Sequence, residues 1–544
     1  MKSIYLLIFL LYSLPSALRS QSLQLDWLAE YPCLPPNSLE YDKIAVDEAD
    51  NVYLFGSAGS SMSPVLYATA ILTLKFDSTG NLLWENKFDN YFQDYFHDGV
   101  LTLDDGVLVA GWRGSLPGSD PSRAELVKYD ELTGEKIWQS FIFDTVSVKA
   151  SLFDVDFDPS GDIYGFGRYN QYPEEYDSSK MYVAKVSLAS GEVLWTKIYN
   201  DKFYATKGKV LSDRVRVFGG KQLNTFEYVP ILADVDFGGN PISEESISLG
   251  YEIVGPQVFN TYFFFDEKGY LVTFGYNVCK YEVAEDPVWC YNVAQGFPST
   301  IGQAMTAVTD AEGNVYATGY LRDTLTESES TLILKLSPQG ELLWLSTSKY
   351  SEDIPVERGK RIAISDQYTF SCSEVWDYDK DGNLENLDYR LFLCSNEDGS
   401  ILYDTLIDGN LYDIPFYAHY ANGHFYFLGR SYNPSAGSQS YKYKLFKFRL
   451  EGSLGTDGEG ELKSPVNIYP NPAGDFIVIT QSPEMEYKKA SLFDGNGRLV
   501  LSEFPIDQTL KKIKLPMLPD GVYLLKLMGK NGVYTKKLVI NSSN

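Results

Sequence analysis

Residues 71–84 read ILTLKFDSTGNLLW, and the rest of the chain is best understood from this stretch. Apolar and polar residues alternate up to Phe76, which is typical of a β-strand. A turn with Gly80 follows, and after three further residues the second run ends in Trp84. The same order recurs as GEKIW, GEVLW, GELLW and GSILY, ending at Trp138, Trp195, Trp344 and Tyr403, with Trp289 in the variant DPVWC.

A second motif is a short run that ends in glycine. It starts with NVYLFG at Gly56 and finishes with HFYFLG at Gly429, 373 residues later. The seven intervals average about 53 residues, a period that indicates a repeat architecture. The copies between them end at Gly111, Gly167, Gly219, Gly275 and Gly319, with Ser373 in the remaining place.

Each repeat contains four predicted strands, which in the first repeat are 43–47, 51–57, 69–76 and 81–88. Tandem four-stranded sheets are typical of a β-propeller. A stacked β-solenoid is the alternative, but its repeats are usually shorter and carry one or two strands each. We therefore predict an all-β chain with an eight-bladed β-propeller across residues 21–452.

The last repeat lacks one strand, because the chain enters a glycine-rich segment after YKYKLFKFRL. A matching outer strand lies at the other end of the chain, in QLDWLAEYP, where Trp27 takes the place of Trp84. An open ring would leave an unpaired sheet edge exposed. We therefore expect the N-terminal segment to complete the last sheet.

Composition and the first residues indicate export. The chain carries 73 acidic and 46 basic residues, a net charge of −27, which repels nucleic acid and anionic lipid. Residues 1–20 combine Lys2, an apolar run and a polar end, the pattern of a signal peptide. No later stretch is long and apolar enough to suggest a membrane span in the mature chain.

The repeats resemble a known propeller family. KYDELTGEKIW and KVSLASGEVLW are similar to the tryptophan-docking repeats of quinoprotein-dehydrogenase-like propellers with eight blades. In that family a pair of adjacent cysteines helps to hold the quinone, and no two cysteines are adjacent here. The resemblance therefore implies the fold and no quinone cofactor.

The C-terminal segment is a separate module. Residues 453–464 predict a flexible linker, and the short strands of 465–544 predict a small Ig-like β-sandwich. The module resembles the C-terminal sorting domain (type A) of type IX secretion cargo, which implies the secretion machinery as partner and a protein released or attached to the cell surface. A terminal sandwich with a binding role is the alternative. The resemblance rests on Tyr469-Pro470-Asn471-Pro472, Leu492-Phe493-Asp494 with Gly497-Arg498, Gly521-Val522-Tyr523 and Lys536 to Ile540.

One acidic segment has the spacing of a calcium-binding loop. Oxygen-bearing side chains, with Gly382 at the sixth position, match the loop that Ca²⁺ needs for six to eight oxygen ligands. A solvated acidic turn is the alternative. The predicted ligands of this structural calcium ion are Asp377, Asp379, Asp381, Asn383, Glu385 and Asp388.

Cysteine spacing predicts two disulfides across hairpins, Cys279–Cys290 and Cys372–Cys394, with Cys33 left over. Buried thiols are the alternative for all four. No Ser/His/Asp or Cys/His set stands at a recognisable spacing, so the sequence predicts neither catalytic nor cofactor-binding residues.

Four long segments that connect the strands are rich in Tyr, Phe and acidic residues, and they are expected on one face of the propeller. Such loops favour a binding protein for a glycan, a peptide or a surface protein. The alternatives are a glycan-acting hydrolase or lyase that uses loop carboxylates, and tyrosine as ordinary packing. The segments are 89–97, 168–180, 348–358 and 408–417.

Overall fold

A computed structural model gives the fold of the chain. Within the residues it describes, every regular element is a β-strand, and no helix is long and apolar enough to cross a membrane. The predicted signal peptide (1–20) and linker (453–464) lie outside the described residues. The described residues are 22–33, 42–59, 69–88, 94–114, 122–143, 148–171, 180–199, 203–222, 228–247, 262–266, 268–282, 286–351, 356–378, 382–407, 412–433, 441–451, 466–469, 476–481, 487–494, 499–505, 510–516, 518–519, 521–529 and 532–540.

The chain divides into two compact units. The larger comprises Leu25–Ile401 and Asp408–Arg449, and the smaller contains Leu450–Asn544 with the short segments Met1–Gln24 and Leu402–Ile407.

The larger unit is built from consecutive four-stranded antiparallel sheets, which confirms the predicted repeat. The first sheet contains β2 (Lys43–Val46), β3 (Val52–Gly59), β4 (Thr69–Phe76) and β5 (Leu82–Phe88). The second contains β6 (Asp94–Thr102), β7 (Gly106–Arg113), β8 (Arg123–Asp130) and β9 (Lys136–Phe141). The third contains β10 (Val148–Phe157), β11 (Ile163–Gln171), β12 (Lys180–Val186) and β13 (Val193–Tyr199).

The next three sheets repeat this order. The fourth contains β14 (Phe203–Val210), β15 (Val215–Gln222), β16 (Tyr228–Val235) and β17 (Pro241–Ser246). The fifth contains β18 (Tyr262–Phe265), β19 (Leu271–Phe274), β20 (Asn277–Tyr281) and β21 (Trp289–Asn292). The sixth contains β22 (Thr300–Thr309), β23 (Val315–Asp323), β24 (Glu329–Leu336) and β25 (Leu342–Ser348).

The remaining strands include the N-terminal one. The seventh sheet contains β26 (Val356–Ile364), β27 (Tyr368–Tyr378) and β28 (Leu384–Ser395), and β29 (Ile401–Ile407) follows in the chain. The last sheet runs β30 (Tyr412–Ala421), β31 (His424–Tyr432), β32 (Tyr441–Glu451) and then β1 (Ser22–Cys33). A parallel pair between Leu387 and Tyr412 joins these two sheets. The position of β1 beside β32 confirms that the N-terminal segment completes the last sheet.

Each sheet packs face to face on its neighbours. Every residue of β3 and β4 is buried, whereas residues of the fourth strand β5 are exposed or half-buried. One apolar cluster combines Leu54 and Leu72 of the first sheet with Tyr426 and Leu445 of the last sheet. Packing therefore continues from the last sheet back to the first, a pattern consistent with a β-propeller.

Five of the repeated tryptophans each bond one sheet to the next. The indole N–H of Trp84 donates to the carbonyl oxygen of Glu131 at 3.0 Å, in the turn between the third and fourth strands of the second sheet. The ring also covers Gly134, where a Cβ would lie 2.7 Å from an indole carbon. The equivalent indole bonds are Trp27 to Ser78, Trp138 to Leu188, Trp289 to Pro338 and Trp344 to Asn396.

The smaller unit contains two sheets that share one core. Core residues stand two positions apart along a strand, as in Ile477 and Ile479 or Leu525 and Leu527. The strands are β33 (Val466–Tyr469), β34 (Phe476–Gln481) and β37 (Leu510–Lys514) in one sheet, and β36 (Leu499–Pro505), β35 (Tyr487–Asp494), β38 (Gly521–Gly529) and β39 (Gly532–Ile540) in the other.

Candidate functional site

The two edges of the sheets in the larger unit differ. At one edge, tight turns join the first strand to the second and the third to the fourth, as at Asp47–Asn51 and Asp77–Asn81. At the other, which we call the loop-side edge, lie the starts of the first and third strands and the ends of the second and fourth. Of the predicted binding loops, the described parts are 94–97, 168–171, Lys180, 348–351, 356–358 and 412–417, and the rest lies outside the described residues.

The second sheet carries the first aromatic cluster at the loop-side edge. The rings of Tyr95 and Trp112 stack with centroids 4.2 Å apart. The guanidinium of Arg113 lies over the Phe141 ring at 5.0 Å and bonds to the carboxylate of Glu125 at 3.2 Å. Trp112 and Arg113 are consecutive residues of β7, so the two contacts lie on opposite faces of the sheet, and each fixes its own side chains at the loop-side edge.

A similar cluster lies where the sixth and seventh sheets meet. The guanidinium of Arg358 lies 5.0 Å from the centre of the Tyr320 ring and 5.4 Å from that of Trp376. Its Nη2 donates to Glu329 at 2.9 Å. Tyr378 lies beside Trp376 at the end of β27. The arginine is therefore fixed between two aromatic faces.

Three tyrosines of the last sheet form the third cluster. The rings of Tyr432 and Tyr441 are stacked, 4.9 Å apart and 5° from parallel. Tyr412 meets Tyr432 edge-on at 5.2 Å. All three rings are half-buried, so part of each faces solvent at the loop-side edge.

Four charged residues occupy equivalent positions on the first strands of the first four sheets: Lys43, Asp98, Asp154 and Lys207. We call these four residues the axial cluster. The Lys43 ammonium lies 2.7 Å from Asp98, and the Lys207 ammonium lies 2.6 Å from Asp154. In the backbone register of its sheet, each of these residues lies opposite the residue that precedes the glycine of its repeat. The opposed residues are Lys43 and Phe55, Asp98 and Ala110, Asp154 and Phe166, and Lys207 and Phe218.

The four charges share one centre, because they interact across sheets that are not neighbours. Lys43 of the first sheet interacts electrostatically with Asp154 of the third, and Lys207 of the fourth with Asp98 of the second. Burial raises the pKa of Asp154 to about 6, against the attraction of Lys207. Burial also opposes ionisation of Asp98, but Lys43 and Lys207 hold its pKa below the usual value.

Two histidines border the axial cluster as neutral groups. Burial, with a contribution from the charge of Lys207, lowers the pKa of His97 to about 3. Trp112 Nε1 donates to Nε2 of His97 at 2.9 Å, which requires an unprotonated nitrogen there. Burial and the charge of Lys43 lower the pKa of His419 to about 4.

No sequence motif pointed to the axial cluster. A β-bulge precedes Asp98, Asp154 and Lys207, and each bulge shifts the alternation of the strand by one residue. Such an insertion is invisible in the pattern of apolar residues. The available signal is the position relative to the repeat's glycine once the sheet register is known.

The predicted calcium ligands occupy the hairpin between β27 and β28. Asp377, Asn383 and Glu385 are exposed near its tip, while Asp379 and Asp381 lie outside the described residues. Asp388 is buried further along β28 and accepts hydrogen bonds from Asn386 at 3.0 and 2.9 Å. Within the described residues, no three acidic, histidine or cysteine side chains form a metal-binding group.

One predicted disulfide is confirmed and the other is wrong. Cys279 and Cys290 are paired directly across β20 and β21 and are bonded, with 4.1 Å between their Cα atoms. Cys372 and Cys394 are both buried but are not joined. Cys372 pairs with Leu391 and Cys394 with Thr369, so the two sulfurs are three register positions apart and on opposite faces of the hairpin.

Three motifs of the C-terminal module lie in its second sheet, on β35, β38 and β39. Gly521 pairs with Ile540, and Tyr523 with Leu538, so two of the motifs face each other across β38 and β39. The Tyr523 hydroxyl donates to the carbonyl oxygen of Pro519 at 2.9 Å. Leu492–Asp494 end β35 and Tyr469 ends β33, whereas Pro470–Pro472 and Gly497–Arg498 lie outside the described residues.

Solved structures with a similar chain course include the WD40 domain of SCAP from fission yeast, extracellular domains 1–2 of Drosophila Semaphorin 1b, and an ulvan lyase of polysaccharide lyase family PL25. They are 8%, 8% and 11% identical, with TM-scores of 0.38, 0.36 and 0.37. The matches cover 79%, 77% and 76% of this chain and 98%, 86% and 93% of the respective structures. With TM-scores this low, the likenesses support no conclusion about activity.

No curated protein matches the sequence. A family model described as a secretion system C-terminal sorting domain matches residues 467–541, which confirms the resemblance seen in the motifs. The C-terminal module is therefore a sorting domain of type IX secretion, and it directs this chain to the cell surface or the outside of the cell.

Proposed function

We propose that this chain is a secreted, eight-bladed β-propeller that binds a glycan through its loop-side edge and catalyses no reaction. A peptide or another surface protein is the other ligand class that the same side chains would accept. The proposal depends mainly on one observation: three clusters of aromatic side chains, two of them holding an arginine, lie at the same edge of the sheets. Aromatic faces stack on the apolar faces of sugar rings, and nearby polar groups bond to hydroxyls.

The strand sets support a count of eight blades. Six complete sheets precede β26, and the last sheet is completed by β1. β29, which follows β28, would then be the fourth strand of the seventh blade. Packing of the last sheet on the first supports a closed ring.

The test is a binding screen of the full chain on glycan and peptide arrays, followed by Tyr441→Ala. Loss of Tyr441 removes one face of the tyrosine stack, and we expect at least tenfold weaker binding, or about 1.4 kcal/mol. Phe237→Ala is the matched control, because Phe237 is an exposed aromatic residue in a tight turn at the opposite edge. Binding of no arrayed ligand, or equal loss in the two variants, would contradict the proposal.

A second candidate is a glycan-acting hydrolase or lyase. It is favoured by Asp98 and Asp154, which lie on neighbouring first strands with pKa values moved in opposite directions. A carboxyl group with a raised pKa beside a carboxyl group with a lowered pKa is the pairing that general acid–base cleavage needs. Release of reducing ends or unsaturated products from a polysaccharide, lost in Asp154→Asn, would replace the binding proposal with this one.

The calcium ion is also a proposal. It would be bound at the hairpin tip by Asp377, Asp379, Asp381, Asn383 and Glu385, with Asp388 as the sixth residue of the set. Its role would be to order the hairpin. Differential scanning calorimetry with CaCl₂ and with EDTA should show a higher melting temperature with calcium, and Asp377→Asn should reduce the difference while Asp213→Asn in another exposed turn should not. Equal melting temperatures in CaCl₂ and EDTA would contradict the site.

A further inference from the structure

The axial cluster presents its cations to solvent and keeps its anions beneath them. The side chains of Lys43 and Lys207 are 32% and 38% exposed, whereas those of Asp98 and Asp154 are each 8% exposed. Burial is nevertheless the largest single influence on the pKa of each of the four groups. The exposed parts of the two lysine side chains therefore face a confined space. A solute entering that space meets ammonium groups first.

The cluster has a local excess of positive charge. Arg361 of β26 occupies the equivalent position in the seventh sheet, where it follows a bulge and pairs with Cys372. At this register position the sheets therefore carry three cations and two carboxylates, in a chain whose net charge is −27. The field of the whole chain repels anions, so a confined positive centre is the place where an anion can bind.

The two carboxylates restrict which anion fits. A local excess of one positive charge is balanced by a monoanion, while a phosphate monoester, which carries between about one and two negative charges at neutral pH, would be repelled by Asp98 and Asp154. Carboxylates paired with lysine still have acceptor positions for hydroxyl donors. Neutral His419 and the phenol of Tyr417, which interact with Lys43, add further uncharged polar partners.

We propose that the axial cluster binds one uronic acid residue, with its carboxylate beside Lys43 and Lys207 and its hydroxyl groups bonded to Asp98 and Asp154. Both parts of the ligand are required, since the cations select the carboxylate and the acids select the hydroxyls. The site uses none of the residues of the aromatic clusters at the loop-side edge, although Trp112 contacts His97 at its border. It therefore stands whether or not those clusters bind glycan.

The test is isothermal titration calorimetry of the full chain with D-glucuronate and D-galacturonate, with galactose and acetate as probes that each lack one part of the ligand. We expect at least one uronate to bind tenfold more tightly than both probes. Raising the salt concentration should weaken this binding. No binding of either uronate, or binding of galactose or acetate as tight as that of the uronates, would overturn the proposal.

Single substitutions test whether the uronate binds at the axial cluster. Lys207→Gln keeps a hydrogen-bond donor toward Asp154 but removes the charge, and we expect at least tenfold weaker uronate binding. Lys221→Gln is the matched control, because Lys221 pairs with Glu244 at 2.7 Å on the outer part of the same sheet and is 30% exposed. If Lys207→Gln does not fold, Lys43→Gln makes the same test on the other ion pair. Unchanged binding in a folded cluster variant, or equal loss in the control, would contradict the site.

Discussion

His97 is held as a neutral acceptor inside the larger unit. Its Nε2 accepts the indole hydrogen of Trp112, and its ring meets Phe153 edge-on at 4.9 Å. The folded chain therefore disfavours the imidazolium, and the pKa of His97 falls to about 3. An unfolded chain would protonate the same residue near its ordinary pKa.

This difference makes stability depend on pH. Between about pH 6.5 and pH 3 the unfolded state binds more protons at His97 than the folded state, so acidification favours unfolding. His97→Gln keeps an acceptor for Trp112 and cannot titrate. We expect the free energy of unfolding to fall less for this variant than for the wild type between pH 7.5 and pH 5, by about 1–2 kcal/mol in urea titrations. The same pH dependence in both proteins would contradict a neutral His97.

At the scale of single residues, the sequence predicts one disulfide correctly and the other wrongly. Cys279 and Cys290 lie close to a short turn, and their spacing predicts the bond correctly. Cys372 and Cys394 lie in longer strands, where the register brings Asp377 to Asn386 and changes at the next residue. The register of a long hairpin depends on its bulges and its tip, so symmetry about the middle of the loop gives the wrong partners.

At the scale of the element, the tryptophan and the turn glycine act as a pair. Gly191 has φ +73°, and a Cβ there would lie 2.7 Å from the Trp138 ring. The residue must therefore adopt a left-handed conformation and also leave room for an indole. This pairing explains why the turn motif and the aromatic residue recur together in the sequence.

Two glycine variants separate these requirements. Gly423 also has positive φ, +81°, but no atom lies within 4 Å of a Cβ built there. We expect Gly423→Ala to cost about 1 kcal/mol for the backbone alone, and Gly191→Ala to cost about 3 kcal/mol because the indole must also move. Chemical denaturation measures both. Similar losses in the two variants would show that the tryptophan contact contributes little.

At the scale of the whole molecule, the repeat predicts more than any single motif does. The recurring glycine and aromatic residues establish four strands per unit, and the missing strand after Arg449 predicts that the N-terminal segment completes the last sheet. The axial cluster keeps the spacing of the repeat, because Lys43, Asp98 and Asp154 each stand 13 residues before the glycine of their repeat and Lys207 stands 12 residues before Gly219. The spacing alone does not reveal a cluster, because the charged side chains meet only when the sheets are arranged about one centre.

The closure joins the two ends of the larger unit. Trp27 of β1 donates to the carbonyl oxygen of Ser78 at 2.8 Å and covers Gly80, so a strand of the last sheet is fastened to the first. Asn422, in the turn between β30 and β31, donates to Asp47 and Asp50 of the first sheet, each at 2.8 Å. If the sheets form a closed ring, we expect these contacts to couple the stability of the first sheet to that of the last.

Hydrogen–deuterium exchange on Trp27→Ala tests this closure most directly, with Trp138→Ala as a control at an internal contact between sheets. If the sheets form a ring closed by β1, Trp27→Ala should speed exchange in β2–β5 of the first sheet and in β30–β32 of the last, although these are far apart in sequence. Faster exchange confined to residues 22–33, with β2–β5 and β30–β32 unchanged, would contradict it.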